Sequence, residues 1–407
     1  MERSAKATHH ETRERNERLV LATVYDRGPI SRAEVARATG LARTTVSDVM
    51  EGLIWEGLCR EIGHGPSTGG KSPILLEVPD EARVLIGVDL GDRVFTAATI
   101  NLRGQVLNRV DVPSGSADGD DAIGLALDVI RQALGHKSSP ALGPKSGPIL
   151  GIGIGAPGLV DATTGTVIQS VSRNWRNLPL GPLVKERFGL RVHVANDCQA
   201  AVLAEHVFGA MRGPNLITVK AGQGIGAGLV LNGELFEGDG YGAGEIGHTI
   251  VDERGELCRC GRRGCLETVA SVPAILAELS ALAGHPVTLD EALSGFRLGD
   301  PQVREVVLKA GRKLGAALAW VVGTLHVRRF ILAGNMAAFG QGWLDAVATA
   351  SADRALGPLS ADTTFELGGI DDVVVLGASA LLMTRELGLT LRPFQVALHQ
   401  PERSPND

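Results

Sequence analysis

The sequence predicts an α/β protein in which two α/β lobes of related design follow a small winged helix-turn-helix module. Three observations lead to this prediction. The first 80 residues carry helical apolar spacing, glycine-punctuated apolar strands begin at about residue 83, and the later strands alternate with helices. The predicted boundaries are 1–80 for the module, 81–392 for the two lobes with a cleft between them, and 393–407 for a disordered tail.

Composition narrows the class of protein. The chain has 407 residues, with 44% hydrophobic and 21% charged, which is typical of soluble globular proteins with two or three domains. The polar N-terminus is unlike a signal peptide, and no apolar run reaches the roughly 18 residues of a membrane span. The net charge of −6 argues against non-specific binding along nucleic acid by the whole chain. It is compatible with a small local DNA-reading module. Five cysteines, an odd and clustered set, indicate thiols in a reducing cytoplasm.

Three helices are predicted in the module. RERNERLVLATVYDRG has helical apolar spacing and forms the first. Ser31 looks like the N-cap of the second, because Glu34 completes a capping box three residues later. Gly40 ends the second helix, since glycine accepts the left-handed conformation of a tight turn. A third helix over 42–57 is followed by two short strands around a Gly/Ser/Pro-rich tip, which predicts a two-stranded wing.

The third helix opens with ARTTVSD, a short, hydroxylated and basic segment. Such residues reach base edges and phosphates when a recognition helix enters the major groove. The candidate DNA-contacting residues are Arg32, Arg43, Thr44, Thr45 and Ser47, with Lys71 at the wing tip. The alternative is a small helical packing domain with ordinary polar surface. Because the module is not basic overall, DNA binding is expected to need a homodimer or tetramer that reads a palindromic double-stranded operator.

The lobes begin with the strands VLIGVDL, VFTAATINL and QVLNRVDV, followed by a helix over 120–134 and a flexible surface loop over 135–148. ILGIGIGAPG is a buried strand with a glycine turn, and VHVANDCQAAVLAEHVFG is a strand that continues into a helix. A second run of strands starts at NLITVKAGQGIGAGLVL and leads to helices over 272–283 and 303–325. RRFILAGN and VVVLGASALLM are both predicted to be strand-to-turn-to-helix units.

Three cysteines and one histidine are clustered in EIGHTIVDERGELCRCGRRGCLE. His248, Cys258, Cys260 and Cys265 have the spacing H-x9-C-x-C-x4-C. Three thiolates and an imidazole make a closed tetrahedral zinc site, with no open position for a catalytic water. Three neighbouring arginines offset the net negative charge of such a site. The alternatives are reduced cysteines without metal, or a disulfide, which would leave one of the three thiols unpaired.

Glu245 and Glu267 lie at the two ends of this segment. A metal bound between them would fix where both carboxylates point. Carboxylates held rigidly at a cleft are good acceptors for vicinal hydroxyls, as in sugars. Each glutamate taken alone is a surface charge, and only the position beside the cluster favours a binding role.

At this point the chain resembles a known family. The module GPISRAEVARATGLARTTVSDVMEGLIWEGL is followed in order by GAPG, NDCQAAVLAE, GQGIGAG, GAGEIGH and CRCGRRGCLE, as in the ROK family of repressors and sugar kinases. The resemblance covers roughly residues 16–387. It implies an actin/hexokinase-like pair of lobes with a sugar cleft between them. It also implies that the sugar hydroxyls are held by Asn196, Asp197, Glu245, His248 and Glu267. His248 would then bind zinc through one ring nitrogen and face the sugar with the other.

The resemblance leaves two uses for the cleft. In the family's kinases the aspartate matching Asp197 is the general base that accepts a proton from the sugar hydroxyl. Their first phosphate loop has the form D-x-G-G-T, whereas this chain has Asp89-Leu90-Gly91-Asp92-Arg93. Asp92 adds negative charge where phosphate would bind, and the bulk of Arg93 is expected to disturb the hairpin. Asn335 stands where the kinases favour glycine, while the second loop, AGQGIGAG, is retained.

The resulting hypothesis is a sugar-responsive transcriptional repressor that has lost productive ATP binding and has a structural zinc ion as its cofactor. Sugar in the cleft would favour one arrangement of the lobes and release the operator. The opposite sign, in which the sugar acts as a co-activator, is also open. Two alternatives remain open: an ATP-dependent sugar kinase with a DNA-binding module, and a regulator moved by a protein partner instead of a sugar. Neither the sugar nor the operator follows from the sequence.

Overall fold

The computed structural model of the chain describes residues 9–66, 72–135, 147–209 and 213–389, and for His9 the backbone alone. Lys71, most of the loop predicted over 135–148 and the tail predicted over 393–407 lie outside these residues. In the part of the chain that the structure describes, no helix is both long and apolar enough to cross a membrane.

The first elements form a helix-turn-helix with a small sheet. They are α1 (His9–Arg27), β1 (Ile30–Ser31), α2 (Arg32–Thr39), α3 (Arg43–Trp55), β2 (Arg60–His64) and β3 (Ile74–Glu77). The capping box is present as predicted, because the Ser31 side chain accepts from Glu34 N while the Glu34 carboxylate accepts from Ser31 N. Gly40 has a φ of 71° and ends α2. The sheet has the order β1-β3-β2, so a third strand joins the two predicted for the wing.

The first lobe follows the module. Its elements are β4 (Val84–Leu90), β5 (Val94–Ile100), β6 (Val106–Pro113), α4 (Gly119–Gly135), β7 (Ile149–Ala156), β8 (Leu159–Asp161), β9 (Thr166–Ser170), β10 (Trp175–Leu178), α5 (Leu180–Phe188), β11 (Val192–Asn196) and α6 (Asp197–Val207). The main sheet has the order β11-β7-β4-β5-β6, with β4, β7 and β11 parallel. The small sheet β10-β9-β8 was not predicted, because its strands are three to five residues long and carry little periodicity.

The second lobe repeats this arrangement. Its elements are β12 (Leu216–Ala221), β13 (Ile225–Leu231), β14 (Glu234–Leu235), α7 (Glu267–Ala270), α8 (Val272–Ala283), α9 (Leu289–Leu298), α10 (Pro301–Leu325), β15 (Arg329–Ala333), α11 (Gln341–Ala352), α12 (Gly357–Ala361), β16 (Thr364–Leu367) and α13 (Val373–Leu382). The sheet has the order β14-β13-β12-β15-β16. It matches, strand for strand, the order β6-β5-β4-β7-β11 of the first lobe. The prediction of two lobes of related design is therefore confirmed.

One prediction for this lobe was wrong. VVVLGASALLM is not a strand with a turn and a helix but the single helix α13, which continues into a short π-helical segment at Met383–Leu387. Almost every side chain of α13 is buried, so it lacks the polar face that gives a surface helix its period. A fully buried helix and a fully buried strand look alike in sequence when both are short and rich in valine.

Helices α6 and α13 form the middle of the molecule. Helix α6 packs on β12 and β13 of the second sheet, α13 packs on β4 and β7 of the first sheet, and the two helices pack on each other. Glycine permits the closest of these contacts. A Cβ atom at Gly377 of α13 would lie 1.7 Å from the Ala200 carbonyl oxygen, and one at Gly228 of β13 would lie 2.1 Å from the Cys198 carbonyl oxygen. The layers therefore run sheet, α13, α6, sheet.

Candidate functional site

A cavity of about 690 Å³ lies between the two lobes. The parallel strands β4, β11, β12 and β15 all end at it, and α/β folds commonly bind ligands outside the carboxyl ends of such strands. The residues at these ends that line the cavity are Asp89, Asn196, Lys220 and Gly334. The topology of both sheets therefore directs polar groups and glycine loops into one cavity.

The five residues that the resemblance assigns to a sugar come from three separate segments. Asn196 and Asp197 lie at the junction of β11 and α6, Glu245 and His248 lie at a 3-10 turn, and Glu267 begins α7. All five line the cavity. The fold thus brings together every member of the predicted set, although the positions span 72 residues of sequence from 196 to 267.

Asn196 is largely engaged with the backbone. Its side-chain oxygen accepts from the N–H groups of Cys198 and Gln199, and so caps α6. Its amide donates to the Gly158 carbonyl oxygen at 2.9 Å. The residue is 7% exposed. One amide N–H remains beyond these bonds, so a ligand contact from Asn196 has a single donor to use.

Asp197 forms an ion pair that the sequence did not predict. Lys220 Nζ lies 2.5 Å from Asp197 Oδ2, and Oδ1 of the same carboxylate accepts from Cys198 N at 2.9 Å. Lys220 is the penultimate residue of β12 and lines the cavity. A sequence signal did exist, since a lone lysine in the apolar strand LITVKA directly precedes a glycine loop. A charged residue at the end of a buried strand points to a partner or a ligand.

The four cysteine and histidine side chains converge. Their donor atoms all lie within 4.8 Å of one another. Cys258 Sγ is 3.7 Å from His248 Nδ1, and Cys260 Sγ is 3.6 Å from Cys265 Sγ. Tetrahedral ligands at a Zn–S distance of about 2.3 Å stand roughly 3.8 Å apart, so these separations fit one ion in the middle. The cluster is compatible with a zinc site held through Nδ1 of the histidine.

The other ring nitrogen of His248 points to a glutamate. His248 Nε2 lies 3.9 Å from Glu245 Oε2. Burial raises the pKa of the Glu245 carboxyl, and the nearby imidazole opposes this. The imidazole therefore has one nitrogen toward the cluster and the other toward the cavity side, where Glu245 also lies.

Glu267 connects two loops. Its Oε2 accepts from Ile225 N at 3.3 Å, in the glycine loop AGQGIGAG. Its Oε1 lies 3.5 Å from Arg259 Nη2, which belongs to the cysteine segment. A Cβ at Gly224 would stand 2.8 Å from the Glu267 carboxylate, so a larger residue there would have to move that side chain. Glu267 thus fixes the glycine loop against the cysteine segment.

The loop Asp89–Arg93 borders the cavity on the other side. Asp89 has one carboxylate oxygen buried without a protein partner, and burial raises its pKa to about 6. The expected disturbance of the hairpin by Arg93 is wrong, because β4 pairs with β5 without a register break to Leu90 opposite Phe95. The Arg93 side chain is exposed, and only its carbonyl oxygen is bound, by the N–H groups of Ser114 and Gly115.

The buried side chain of Arg173 binds the backbone of the Asp89–Arg93 loop. Arg173 is 2% exposed, and its guanidinium donates to the carbonyl oxygens of Gly91 and Ala117. The same guanidinium lies over the Phe95 ring, 4.7 Å from the centroid. On the opposite side of the cavity, the side-chain oxygen of Asn335 lies against Gly222 of the glycine loop.

The predicted DNA-contacting residues lie away from the cavity, on the helix-turn-helix. Arg43 and Thr44 are exposed at the start of α3, and Thr45 and Ser47 are half-buried on its first two turns. Arg32, at the start of α2, forms an ion pair of 3.0 Å with Glu61 of β2. The structure therefore presents the polar start of α3 and ties Arg32 to the wing.

The helix-turn-helix is joined to the first lobe through α1. Tyr25 donates from its hydroxyl to the Leu102 carbonyl oxygen at 2.5 Å. Arg103 donates to the Tyr25 carbonyl oxygen at 3.0 Å, and its guanidinium lies over the Tyr25 ring. One apolar cluster includes side chains of α1, β5 and the segment after α13. The helix-turn-helix and the first lobe thus share a packed boundary.

Comparison with known proteins places the chain in a family. The sequence profile of the ROK family matches residues 85–385, which is more than half of the chain. The xylose repressor of Caldicellulosiruptor bescii is 30% identical over 386 residues, an alignment that covers 91% of this chain and 95% of that protein.

Two solved structures have a similar fold. A ROK family transcriptional regulator, a homologue of the E. coli MLC protein, is 26% identical with a TM-score of 0.80, covering 93% of this chain and 98% of its own. A ROK family glucokinase from Streptomyces griseus, in complex with glucose and AMPPNP, is 27% identical with a TM-score of 0.61, covering 73% of this chain and 98% of its own. The match to the regulator therefore includes a part of the chain that the match to the kinase leaves out. The chain belongs to the ROK family, in the branch that contains its transcriptional repressors.

Proposed function

We propose that the protein is a sugar-responsive transcriptional repressor. The observation that carries this proposal is the presence, in one chain, of a helix-turn-helix with an exposed polar start to α3 and of a cavity lined by hydrogen-bonding side chains. Relatives named as a xylose repressor and as a ROK family transcriptional regulator support it. The protein would act in the cytoplasm, where its thiols stay reduced.

The sugar would bind in the cavity between the lobes. Carboxylates and amides that other contacts already hold in place are good partners for vicinal hydroxyls. The side chains lose little further conformational freedom when the sugar binds. Asn196, Asp197, Glu245, His248 and Glu267 are the proposed contacts. Their backbone and side-chain partners, described above, support preorganisation of at least Asn196, Asp197 and Glu267.

A structural zinc ion would be held by His248, Cys258, Cys260 and Cys265. When bound, zinc supplies a cross-link and positive charge, and the closed set of four ligands leaves no position for a reactive water. The segment around it has short isolated bridges instead of a regular sheet, so the ion would supply much of its order. This order would set the directions of Glu245 and Glu267.

Operator binding would use Arg43, Thr44, Thr45 and Ser47 of α3, with Arg32 and Lys71 near the backbone of the DNA. A dimer would place two such helices on the half-sites of a palindrome. Sugar would favour a lobe arrangement in which the two helices no longer match the half-sites. The proposed domain division is a helix-turn-helix within residues 1–80 and a ROK domain within 81–392.

A thermal-shift screen with xylose, glucose and N-acetylglucosamine, followed by operator binding, tests this function. DNA selected by the protein from a random pool would serve as the operator, and fluorescence anisotropy would measure affinity. We expect one sugar to raise the melting temperature and to weaken operator binding. A protein that selects no DNA sequence, or whose operator affinity no stabilising sugar changes, contradicts the proposal.

A sugar kinase with a DNA-binding module is the second candidate. The retained glycine loop and the presence of Asp197 favour it, as does the likeness to a glucokinase. Asp92 and Arg93 in the first loop oppose it, because they put a carboxylate and a bulky side chain where a kinase needs bare backbone against phosphate. A coupled ATPase assay over the same sugars separates the two. Turnover at ordinary kinase rates that is lost in Asp197→Ala would replace the repressor assignment with a bifunctional one.

A further inference from the structure

Lys220 and Asp197 form an ion pair in the cavity between the lobes. Lys220 Nζ is 2.5 Å from Asp197 Oδ2, and the two side chains are 24% and 18% exposed. Both residues line the cavity. The pair is thus only partly shielded, and its exposed side faces the place where a ligand would bind.

A second carboxylate, that of Asp89, lines the same cavity and interacts electrostatically with the same ammonium. Asp89 is the penultimate residue of β4 and lines the cavity, and one of its oxygens is buried without a protein partner. The charge of Lys220 lowers the pKa of Asp89 against the larger effect of burial, and Asp197, Asp92 and Asp372 act in the opposite direction. Burial would lower the pKa of Lys220, yet Asp197 and Asp89 together raise it. Lys220 therefore interacts electrostatically with both carboxylates.

Other cations near this group are engaged elsewhere. Arg173 donates to carbonyl oxygens below the Asp89–Arg93 loop, and Arg109 binds Asp372 and Asp111. Among the residues that the structure describes, Lys220 is the cation that forms an ion pair with Asp197, while Arg93, Arg259 and Arg262 also line the cavity.

We propose that Lys220 is an internal cation that pairs with Asp197 and offsets the charge of Asp89 where a phosphoryl-transfer site would need a free base and a divalent metal ion. This inference rests on the proposed function, because it explains why the cavity acts as a receptor. Phosphoryl transfer uses metal ions held by carboxylates, and a residue that positions or deprotonates the nucleophile. An ammonium that is paired with one of these carboxylates and attracted by the other repels a divalent ion from that position.

The ion pair also conflicts with a base role for Asp197. A general base must end the transfer step protonated. A proton on Asp197 would take away the negative charge that Lys220 contacts and leave a partly buried ammonium without its partner. Accepting a hydrogen bond makes no such demand, because each carboxylate oxygen keeps a lone pair beyond its present bond. The geometry therefore suits a sugar hydroxyl that is bound but not deprotonated.

The ion pair is tested by a double-mutant cycle on stability. The variants are Lys220→Met, Asp197→Asn and the double variant, compared with wild type by urea unfolding of the zinc-loaded protein. We expect Lys220→Met to be destabilised, because it leaves buried carboxylates without their counter-ion, and the second substitution to restore most of the loss. If Lys220→Met alone fails to fold, recovery of a folded double variant gives the same answer. Losses that simply add would overturn the ion pair.

The metal-exclusion role is tested with Mn²⁺ alone, titrated into zinc-loaded protein and followed by electron paramagnetic resonance. If Lys220→Met fails to fold, Lys220→Gln takes its place in every comparison below, because its amide can still donate to Asp197 without a positive charge, and Lys220→Arg is the control that keeps the charge. We expect Lys220→Met to bind Mn²⁺ about tenfold or more tightly than wild type and Lys220→Arg, since the repelling charge is gone. Adding Asp89→Asn or Asp197→Asn should weaken that binding. Equal Mn²⁺ affinity in wild type and folded Lys220→Met would overturn the proposal.

Neither measurement uses sugar or DNA. A protein that shows no operator or sugar binding would therefore defeat the repressor assignment and leave the Lys220 results standing. An additive cycle or unchanged Mn²⁺ affinity would defeat the role of Lys220 and leave the repressor assignment untouched.

Discussion

Asn196 is a residue whose structural and proposed binding tasks overlap. Its oxygen caps α6, and its amide holds the Gly158 carbonyl, so both ends of the side chain are used before a ligand arrives. A substitution here will change stability as well as sugar affinity. The two effects have to be separated by choosing a variant that keeps the cap.

Asn196→Ala should lower the free energy of unfolding by about 1–2 kcal/mol, the usual cost of losing a side-chain N-cap. Urea unfolding measures this change. Asn196→Ser is the matched control, because its hydroxyl oxygen can still cap α6 while, like alanine, it lacks the amide that donates to the Gly158 carbonyl oxygen. If Asn196→Ala unfolds at the wild-type urea concentration, the cap contributes nothing to stability.

Glu205 should make stability depend on pH. The residue is 3% exposed, and burial raises its pKa from 4.5 to about 7, with a smaller effect from Glu366. Between these pH values the folded state keeps a proton that the unfolded state has lost, so the free energy of unfolding falls as pH rises. Glu205→Gln should remove this fall and add on the order of 1–2 kcal/mol of stability at pH 8.

Urea unfolding at pH 5 and pH 8 checks the effect of Glu205. Glu366→Gln is the control, since it removes only the lesser cause and should flatten the pH dependence less. A Glu205→Gln protein with the wild-type pH dependence would show that another group titrates in this window.

At the scale of elements, α3 is the predicted recognition helix. Arg43 is exposed at its first position. If this side chain contacts a base edge, Arg43→Ala should weaken operator binding by roughly 1–3 kcal/mol and relax the preference at one base pair. Anisotropy titrations measure both effects. Arg297→Ala is the control, because Arg297 is exposed on α9 of the second lobe. Equal operator affinity in wild type and Arg43→Ala would remove Arg43 from the interface.

The cysteine segment is an element whose order should depend on metal. Freshly purified protein should carry about one zinc ion per chain, as three cysteines and a histidine form one closed site. Cys258→Ser should lose most of the zinc and, because Glu245 and Glu267 flank the segment, weaken sugar binding as well. Elemental analysis and sugar titration of the same samples measure both. Cys59→Ser is the control, since Cys59 is buried in the N-terminal apolar cluster. Zinc-free protein with full sugar affinity would contradict the role of the segment.

Helices α2 and α13 show which parts of the fold can be predicted from the sequence and which cannot. The capping box and the glycine at position 40 follow from local hydrogen bonding and backbone conformation, so α2 is predictable almost to the residue, whereas α1 begins at His9, four residues before the predicted segment. Helix α13 is not, because its burial on all sides comes from packing against α6 and the first sheet, and burial erases the periodicity of a surface helix. The same holds for Lys220, whose partner Asp197 is 23 residues away on another element and is recognisable only once the two lobes are assembled.

At the scale of the whole molecule, the sequence predicts which residues share the cavity mainly through the family resemblance. Glu245 and Glu267 flank the cysteine segment, but no local pattern marks Asn196 as their neighbour. Their approach requires two sheets of identical strand order whose carboxyl ends meet, and that arrangement is a property of topology. The cysteine cluster is different, because close spacing of soft ligands predicts a metal site from composition alone.

Coupling between sugar and operator should pass through the boundary between α1 and the first lobe. Arg103 binds the Tyr25 carbonyl and Asp80 and lies over the Tyr25 ring. Arg103→Ala should leave sugar and operator affinities within about threefold of wild type, yet reduce the effect of each ligand on the other by about fivefold or more. Operator titrations with and without the stabilising sugar measure this. Arg176→Ala is the control, because Arg176 is exposed on β10. Full release of the operator in Arg103→Ala would place the coupling elsewhere.

The backbone contacts of Gly228 and Gly377 constrain how such a protein can diverge. A change of ligand needs new side chains at the rim of the cavity, where loops have room for them. The centre has no such room, because a single added methyl group at either glycine would have to displace a helix or a strand of the opposite lobe. Natural variation should therefore concentrate around the cavity, while glycine persists at positions 228 and 377 wherever this arrangement of lobes is kept. Sequencing of functional variants from a library randomised at both positions would show whether the centre of the fold accepts anything else.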